Sequence, residues 1–225
     1  MTVVEGLATG VVRIAATTER LAVLAEDRAD IAVRGDAGVG VDDDVLTLDA
    51  HGHLDVRVPT GTSLVIGTTS GRIGVRGPVG SCSISTESGR VAVEHARRLD
   101  VRSDSGRVEV GTVEGACRVH VLSGRIQVRS CGDADVSTEQ GRIRLAAARG
   151  TVHAHCVSGR IEIDLVGAHD VDASTVSGRI EVTHPPDVTV EHVTERPTGP
   201  GGEAPDAACV VVARSVSGRV TVRPR

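Results

Sequence analysis

Eight arginines recur directly after a glycine: Arg72, Arg90, Arg107, Arg125, Arg142, Arg160, Arg179 and Arg219. A guanidinium carries a permanent charge and five donors in a planar fork, which suits carboxylate or phosphate recognition. The same row could instead be a self-contained ion-pair network. Acids stand two before the glycine at Glu87, Asp104 and Glu139, and three after it at Glu109, Glu162 and Glu181. Five of the eight arginines thus have a carboxylate in their own repeat, whereas Arg72, Arg125 and Arg219 have none at either place. Gln127 stands where neighbours of Arg125 carry Glu. Charge is therefore expected to be least balanced around Arg125, and Arg107, Arg125 and Arg142 are the expected contact for an acidic partner.

Other reactive side chains are sparser. His153 and His155 share a strand face, and His120 falls in the column of His155 two repeats earlier. Two strand spacings are about 9.6 Å, too far to share a metal whose nitrogen ligands sit at about 2.1 Å. No metal site is expected; a pH-responsive patch is the alternative use of these imidazoles. Cys82, Cys117 and Cys156 fall at inward positions, where thiols pack as small hydrophobes. Cys131 and Cys209 lie near turns and are expected at the surface. Five cysteines without a CxxC pair form neither a disulfide framework nor a zinc knuckle. The run Asp42–Asp43–Asp44 suits a solvated loop. "GVGV" and "GPGG" lack the lysine of a phosphate-binding loop, and the chain contains no lysine. Catalytic, cofactor and metal residues are accordingly assigned as none, and the chain is expected not to be an enzyme. The alternative is a β-helical enzyme that uses carboxylates and arginines of one face on an acidic polysaccharide.

The elements that must position these residues follow from an internal repeat. The marked glycines are Gly71, Gly89, Gly106, Gly124, Gly141, Gly159, Gly178 and Gly218, at steps of 18, 17, 18, 17, 18, 19 and 40 residues. Seven are preceded by Ser and the fifth by Gln140. Apolar residues stand two and four after each glycine, with a variable position between, and the alternation runs backwards before it. Such period-two patterning marks strands with one buried face. A second glycine column, Gly80, Gly115, Gly132 and Gly150, falls nine residues before the marked ones and reads as the other turn. A period of 17–19 residues is too short for a strand, a helix and two loops. It predicts an all-β, single-domain parallel β-solenoid with two short strands per coil. Residues 1–44 are expected to be N-terminal strands and cap, 45–193 regular coils, 194–207 a mobile loop, and 208–225 the final coil.

Composition narrows the function classes. The 225-residue chain has a formal net charge of −5, and all 25 of its basic residues are arginine. That balance argues against general nucleic-acid affinity. There is no Phe, Tyr or Trp, so no aromatic platform for bases or sugars, and the core must be built from Val, Ile, Leu and Ala. No apolar run reaches the length of a membrane span. The opening residues carry no signal-peptide pattern, so a cytoplasmic setting is expected, with envelope association through a partner.

The corner motif at this period, the opening "ATGVVRIAATTERLAVLAEDR" and the closing "VVARSVSGRVTVRP" resemble a bacterial β-strand-repeat family labelled as adhesins, with a fold sometimes called a toast rack. The resemblance covers nearly the whole chain. It implies an adhesin-like scaffold of unknown activity that presents charged side-chain columns to a protein, an anionic envelope component or another copy of itself. It carries no catalytic motif. Family members typically place an acid after the corner glycine; this chain always places arginine there.

Overall fold

The period-two alternation becomes strand along almost the whole chain. The computed structural model describes residues 2–4, 10–42, 45–186, 188, 190–193 and 209–225, and among them there is no helix. The strands are β1 (Thr2–Val4), β2 (Val11–Glu26), β3 (Ile31–Asp42), β4 (Val45–Pro59), β5 (Ser63–Thr68), β6 (Arg72–Val113), β7 (Cys117–Cys131), β8 (Ala134–Ala148), β9 (Val152–Leu165), β10 (Val171–His184), β11 (Val190–Val193) and β12 (Cys209–Pro224). The loop expected at 194–207 lies outside the described residues.

From the end of β6 onward, each repeat pairs in parallel with the next, like residue on like residue. Gly106 aligns with Gly124, then Gly141, Gly159, Gly178 and Gly218. The 40-residue step does not interrupt this register, because β12 lies directly on β10. Ile73, Val91, Val108, Ile126, Ile143, Ile161 and Ile180 are all buried, as the alternation predicts. They belong to one continuous aliphatic core running the length of the stack.

Two features differ from the expectation. The repeat does not contain two short strands separated at the glycine. One strand runs through the corner, as β7 runs through Gly124. The ladder survives because glycine stacks on glycine; the skipped position lies two residues earlier, where Ser103 pairs with Val121 and Ser105 with Ser123. That skipped residue is pushed outward. The second difference is the order of layers. β2 lies between β4 and the repeat formed by β5 and the start of β6, parallel to both. Within the expected N-terminal strands and cap of residues 1–44, β2 is therefore an interior layer: Leu21 aligns with Leu54 on one side and Ile73 on the other, and all three are buried. The end layer is instead β3, antiparallel to β4, with β1 antiparallel on its edge. Only Ile31, Ala32 and Val33 of β3 are buried, which suits a terminal strand. Arg28 closes the β2–β3 turn, bonding Glu26 at 3.0 Å and Asp30 at 2.9 Å.

Candidate functional site

The corner is built from three columns. The first is the glycine. A Cβ added at any marked glycine from Gly89 to Gly218 would fall well under 3.0 Å from the carbonyl oxygen of the glycine one layer below. Gly141 also has φ = 150°, a conformation that L side chains rarely adopt. The second column, three residues before the glycine, holds a hydroxyl at six of its eight places, buried at Thr86, Ser103, Thr138 and Thr175, with Val121 and Cys156 at the other two. Thr86 Oγ1 donates to the Ser88 carbonyl at 3.1 Å, Ser103 Oγ to that of Ser105 at 3.0 Å, and Thr138 Oγ1 to that of Gln140 at 3.3 Å. Each bond ties down the carbonyl directly before the bend, so "small" residues here are chosen for a hydroxyl as well as for size. The sequence pattern did not show that role.

The third column is arginine. Arg107, Arg125, Arg142, Arg160, Arg179 and Arg219 align from layer to layer. With their glycines they line one shallow groove of about 1110 Å³. Arg90 and Arg72 extend the row, since Arg90 N–H donates to the Gly71 carbonyl at 3.0 Å. Arg20 of β2 aligns with Arg72 and is a ninth member. Motif reading missed it because Glu19, not glycine, precedes it. Alignment in the ladder, rather than the motif, identifies it. A larger hollow of about 1340 Å³ continues this face beside Arg20, Arg72 and Arg90, over the small side chains of Ala22 and Ala92.

Local charge compensation is weaker than the sequence pattern implies. Arg107 Nε lies 2.5 Å from Glu109 Oε1, but its N–H is not aimed at that oxygen; its Nη2 donates to Gln127 Oε1 at 2.9 Å in the next layer. Arg160 pairs with Glu162 at 3.3 Å. Glu181 instead takes Arg223 of the adjoining layer, leaving Arg179 without an ion pair among the described residues. None of Glu87, Asp104 and Glu139 forms an ion pair with a corner arginine, since the bend stands between them. Of the six groove arginines, Arg125, Arg142, Arg179 and Arg219 have no ion-pair partner among the described residues. The expected trio is thus brought onto one line, but Arg107 is already engaged and the unpaired charge extends toward β12.

The histidines occupy the opposite half of the repeat. His120, Ser137, His155 and Ser174 succeed one another in one column, and each imidazole bonds the serine one layer on, His120 to Ser137 at 2.5 Å and His155 to Ser174 at 2.9 Å. His153 sits in register between Asp135 and Asp172. No group of three metal-ligating side chains converges among the described residues. All five cysteines are buried, including Cys131 and Cys209, which were expected at the surface. Cys131 aligns with core residues Val113 and Ala148. The ladder skips Arg129 after Val128, shifting the alternation by one and turning Cys131 inward. Burial pushes the Cys82 thiol up to about 12 and the Cys131 thiol up to about 11. Neither is ionised near neutrality, so neither is a ready nucleophile.

A family model described as Toastrack DUF4097 matches residues 24–223. The chain belongs to the Toastrack DUF4097 family. Among solved structures, this Toastrack chain is similar to one titled a "putative adhesin" from Bacteroides fragilis, with 15% identity, 100% of this chain and 96% of that chain covered, and a TM-score of 0.53. A second structure of the same description, from Parabacteroides distasonis, is 13% identical, with 100% and 95% covered and a TM-score of 0.47. At such identity the first likeness speaks to fold alone. No curated protein matches the sequence. No helix among the described residues is long and apolar enough to cross a membrane.

Proposed function

We propose that the chain is a non-enzymatic interaction scaffold, a single parallel β-solenoid whose corner displays an arginine ladder to an acidic partner, either a protein or an anionic component of the cell envelope. The parallel, in-register pairing of successive repeats supports the solenoid reading. The observation that carries the functional reading is the groove: six aligned arginines, four of them without an ion pair among the described residues. Like charges stacked about 4.8 Å apart repel, so a ladder left this unbalanced gains when an anion covers it. The groove lining alternates glycine and arginine and offers no carboxylate pair for glycosidic acid–base chemistry; that favours binding over hydrolysis. The "putative adhesin" title of the Bacteroides fragilis protein points the same way. The buried thiols fit a reducing compartment, and we place the chain in the cytoplasm, reaching the envelope through its partner.

The test is calorimetric titration of a poly-glutamate peptide into the wild type and into the triple variant Arg125→Gln, Arg142→Gln, Arg179→Gln. Exposed arginines without partners contribute about 0–1 kcal/mol each to stability, so melting should stay nearly unchanged. Binding should weaken at least tenfold and lose most of its salt dependence. A variant that unfolds, or that binds equally well, refutes the reading.

A further inference from the structure

We infer that the two ends of the stack are an interface for a second copy of this chain, the N-terminal end of one copy binding the C-terminal end of the next, so that copies assemble head to tail into open chains. The inference does not depend on what the arginine ladder binds.

Each end layer is only half covered. At the N-terminal end β1 pairs with residues 31–33 of β3, and among the described residues no strand pairs with the outer edge of residues 34–42. At the C-terminal end β11 pairs with residues 209–212 of β12, and the outer edge of residues 213–224 is likewise open among the described residues. Open edges present unmatched backbone donors and acceptors and recruit another strand. The core is open at the same two places. Val39 and Val41 align with Leu48 and Leu46, both fully buried, yet they are themselves exposed at 38% and 55%. Val220 and Val222 align with the fully buried Ile180 and Val182 and are only partly buried. A further layer on either end would bury these inward-column valines.

The two half-covers are complementary. The register carries the columns under β1, those of Val56 and Arg57, through Val75 and Arg76, which stand four and five places after their corner glycine, as do Val222 and Arg223. β11 lies over Val210 and Val211, eight and seven places before the glycine, and Asp42 and Val41 occupy those same two columns at the other end. So β1 covers the half after the corner, and β11 covers the half before it. When one copy is set on another in the same orientation, β11 enters the step at Val41 and Asp42, and β1 enters the step at Val222 and Arg223. The two short strands then share one layer that stays open at the corner among the described residues. In that layer β11 meets β3 antiparallel and β1 meets β12 parallel.

Charge decides which ends meet. Residues 209–225 hold Arg214, Arg219, Arg223 and Arg225 and no acid. β3 and the two residues after it hold Arg34 against Asp36, Asp42, Asp43 and Asp44. Two C-terminal ends would oppose arginines to arginines, and two N-terminal ends would oppose acids to acids. Only the mixed pairing brings opposite signs together. Glu191 of β11 comes level with Asp42, the one like-charge pair that this register creates. The contact uses a different surface on each copy and leaves a fresh end after every addition, so it does not close on itself.

The experiment is sedimentation velocity of the full chain over a hundredfold range of concentration, with electron micrographs at the upper end. Expected are a sedimentation coefficient that rises with concentration, unbranched rods, and weaker association at high salt. Val41→Asp blocks the N-terminal end and Val222→Glu the C-terminal end, and each variant keeps one intact end of the opposite kind. Either variant alone should stay monomeric at concentrations tenfold above those at which the wild type assembles. Their mixture should give a one-to-one dimer and stop there. Val41 is exposed, so its variant should melt as the wild type does. If Val222→Glu melts early, the double variant Arg223→Glu, Arg225→Glu, at two exposed positions, reverses the charge of the same end. A wild type that stays monomeric throughout leaves the two edges to another partner and overturns the inference. A single variant that still associates by itself, or a mixture that remains monomeric, overturns it as well.

Discussion

Replacing Gly141 with alanine tests the corner directly. The new Cβ would overlap the Gly124 carbonyl oxygen, which belongs to the ladder and cannot swing aside. The residue would also hold φ = 150°, costing about 1–3 kcal/mol for a non-glycine residue. Separating the layers enough to admit the methyl would weaken two or three ladder hydrogen bonds at about 1 kcal/mol each. The sum is about 3–6 kcal/mol. For a chain of this size about 2–4 °C of melting temperature is lost per kcal/mol, so a fall of roughly 10 °C is expected. Thermal and urea unfolding followed by circular dichroism would measure it, with Gly74→Ala as the control. Gly74 has nothing within 4 Å of its virtual Cβ, and alanine there should be neutral or slightly stabilising. If Gly141→Ala costs less than about 1 kcal/mol, or if Gly74→Ala costs as much, close stacking of glycines is not what sets the motif.

Removing residues 1–26 takes out β2, an interior layer, and should abolish cooperative melting and give aggregates on size exclusion; a monomeric, cooperatively melting product would show that β4 can pair directly with β5 and β6. The cysteines should resist alkylation at pH 8 in the native state and react promptly in urea. Because burial raises the folded pKa values of Cys82 and Cys131 to about 12 and about 11, their contribution to stability is full below the unfolded pKa of ~8.5 and is lost as pH rises from there through the folded values. Urea midpoints should therefore fall between pH 9 and 11, and Cys131→Ala should reduce that slope; a slope unchanged by the substitution would assign the alkaline loss to other groups.

The arginine ladder was partly legible in the linear chain. Eight of its nine members carry the motif, and Arg20 does not. The choice of ion-pair partners was not legible. Glu181 stands at the same place in its repeat as Glu162, yet it pairs with Arg223 while Glu162 pairs with Arg160. A long side chain selects among charges one layer away as readily as within its own repeat, and spacing along the chain does not rank them.

What the sequence determined by itself is whatever repeats locally. The two-residue alternation set which side chains face inward, and the 17–19-residue period set which residues stack, because both are consequences of covalent spacing and strand geometry. Tertiary structure alone decided the rest. That β2 slips between β4 and β5 depends on which strand edges meet, and edges carry backbone donors and acceptors common to every sequence. That one strand runs unbroken through the glycine depends on carbonyls of the layer below, which no single repeat contains. That Cys131 turns inward depends on a skipped ladder position at Arg129, a shift imposed by the fit of neighbouring layers.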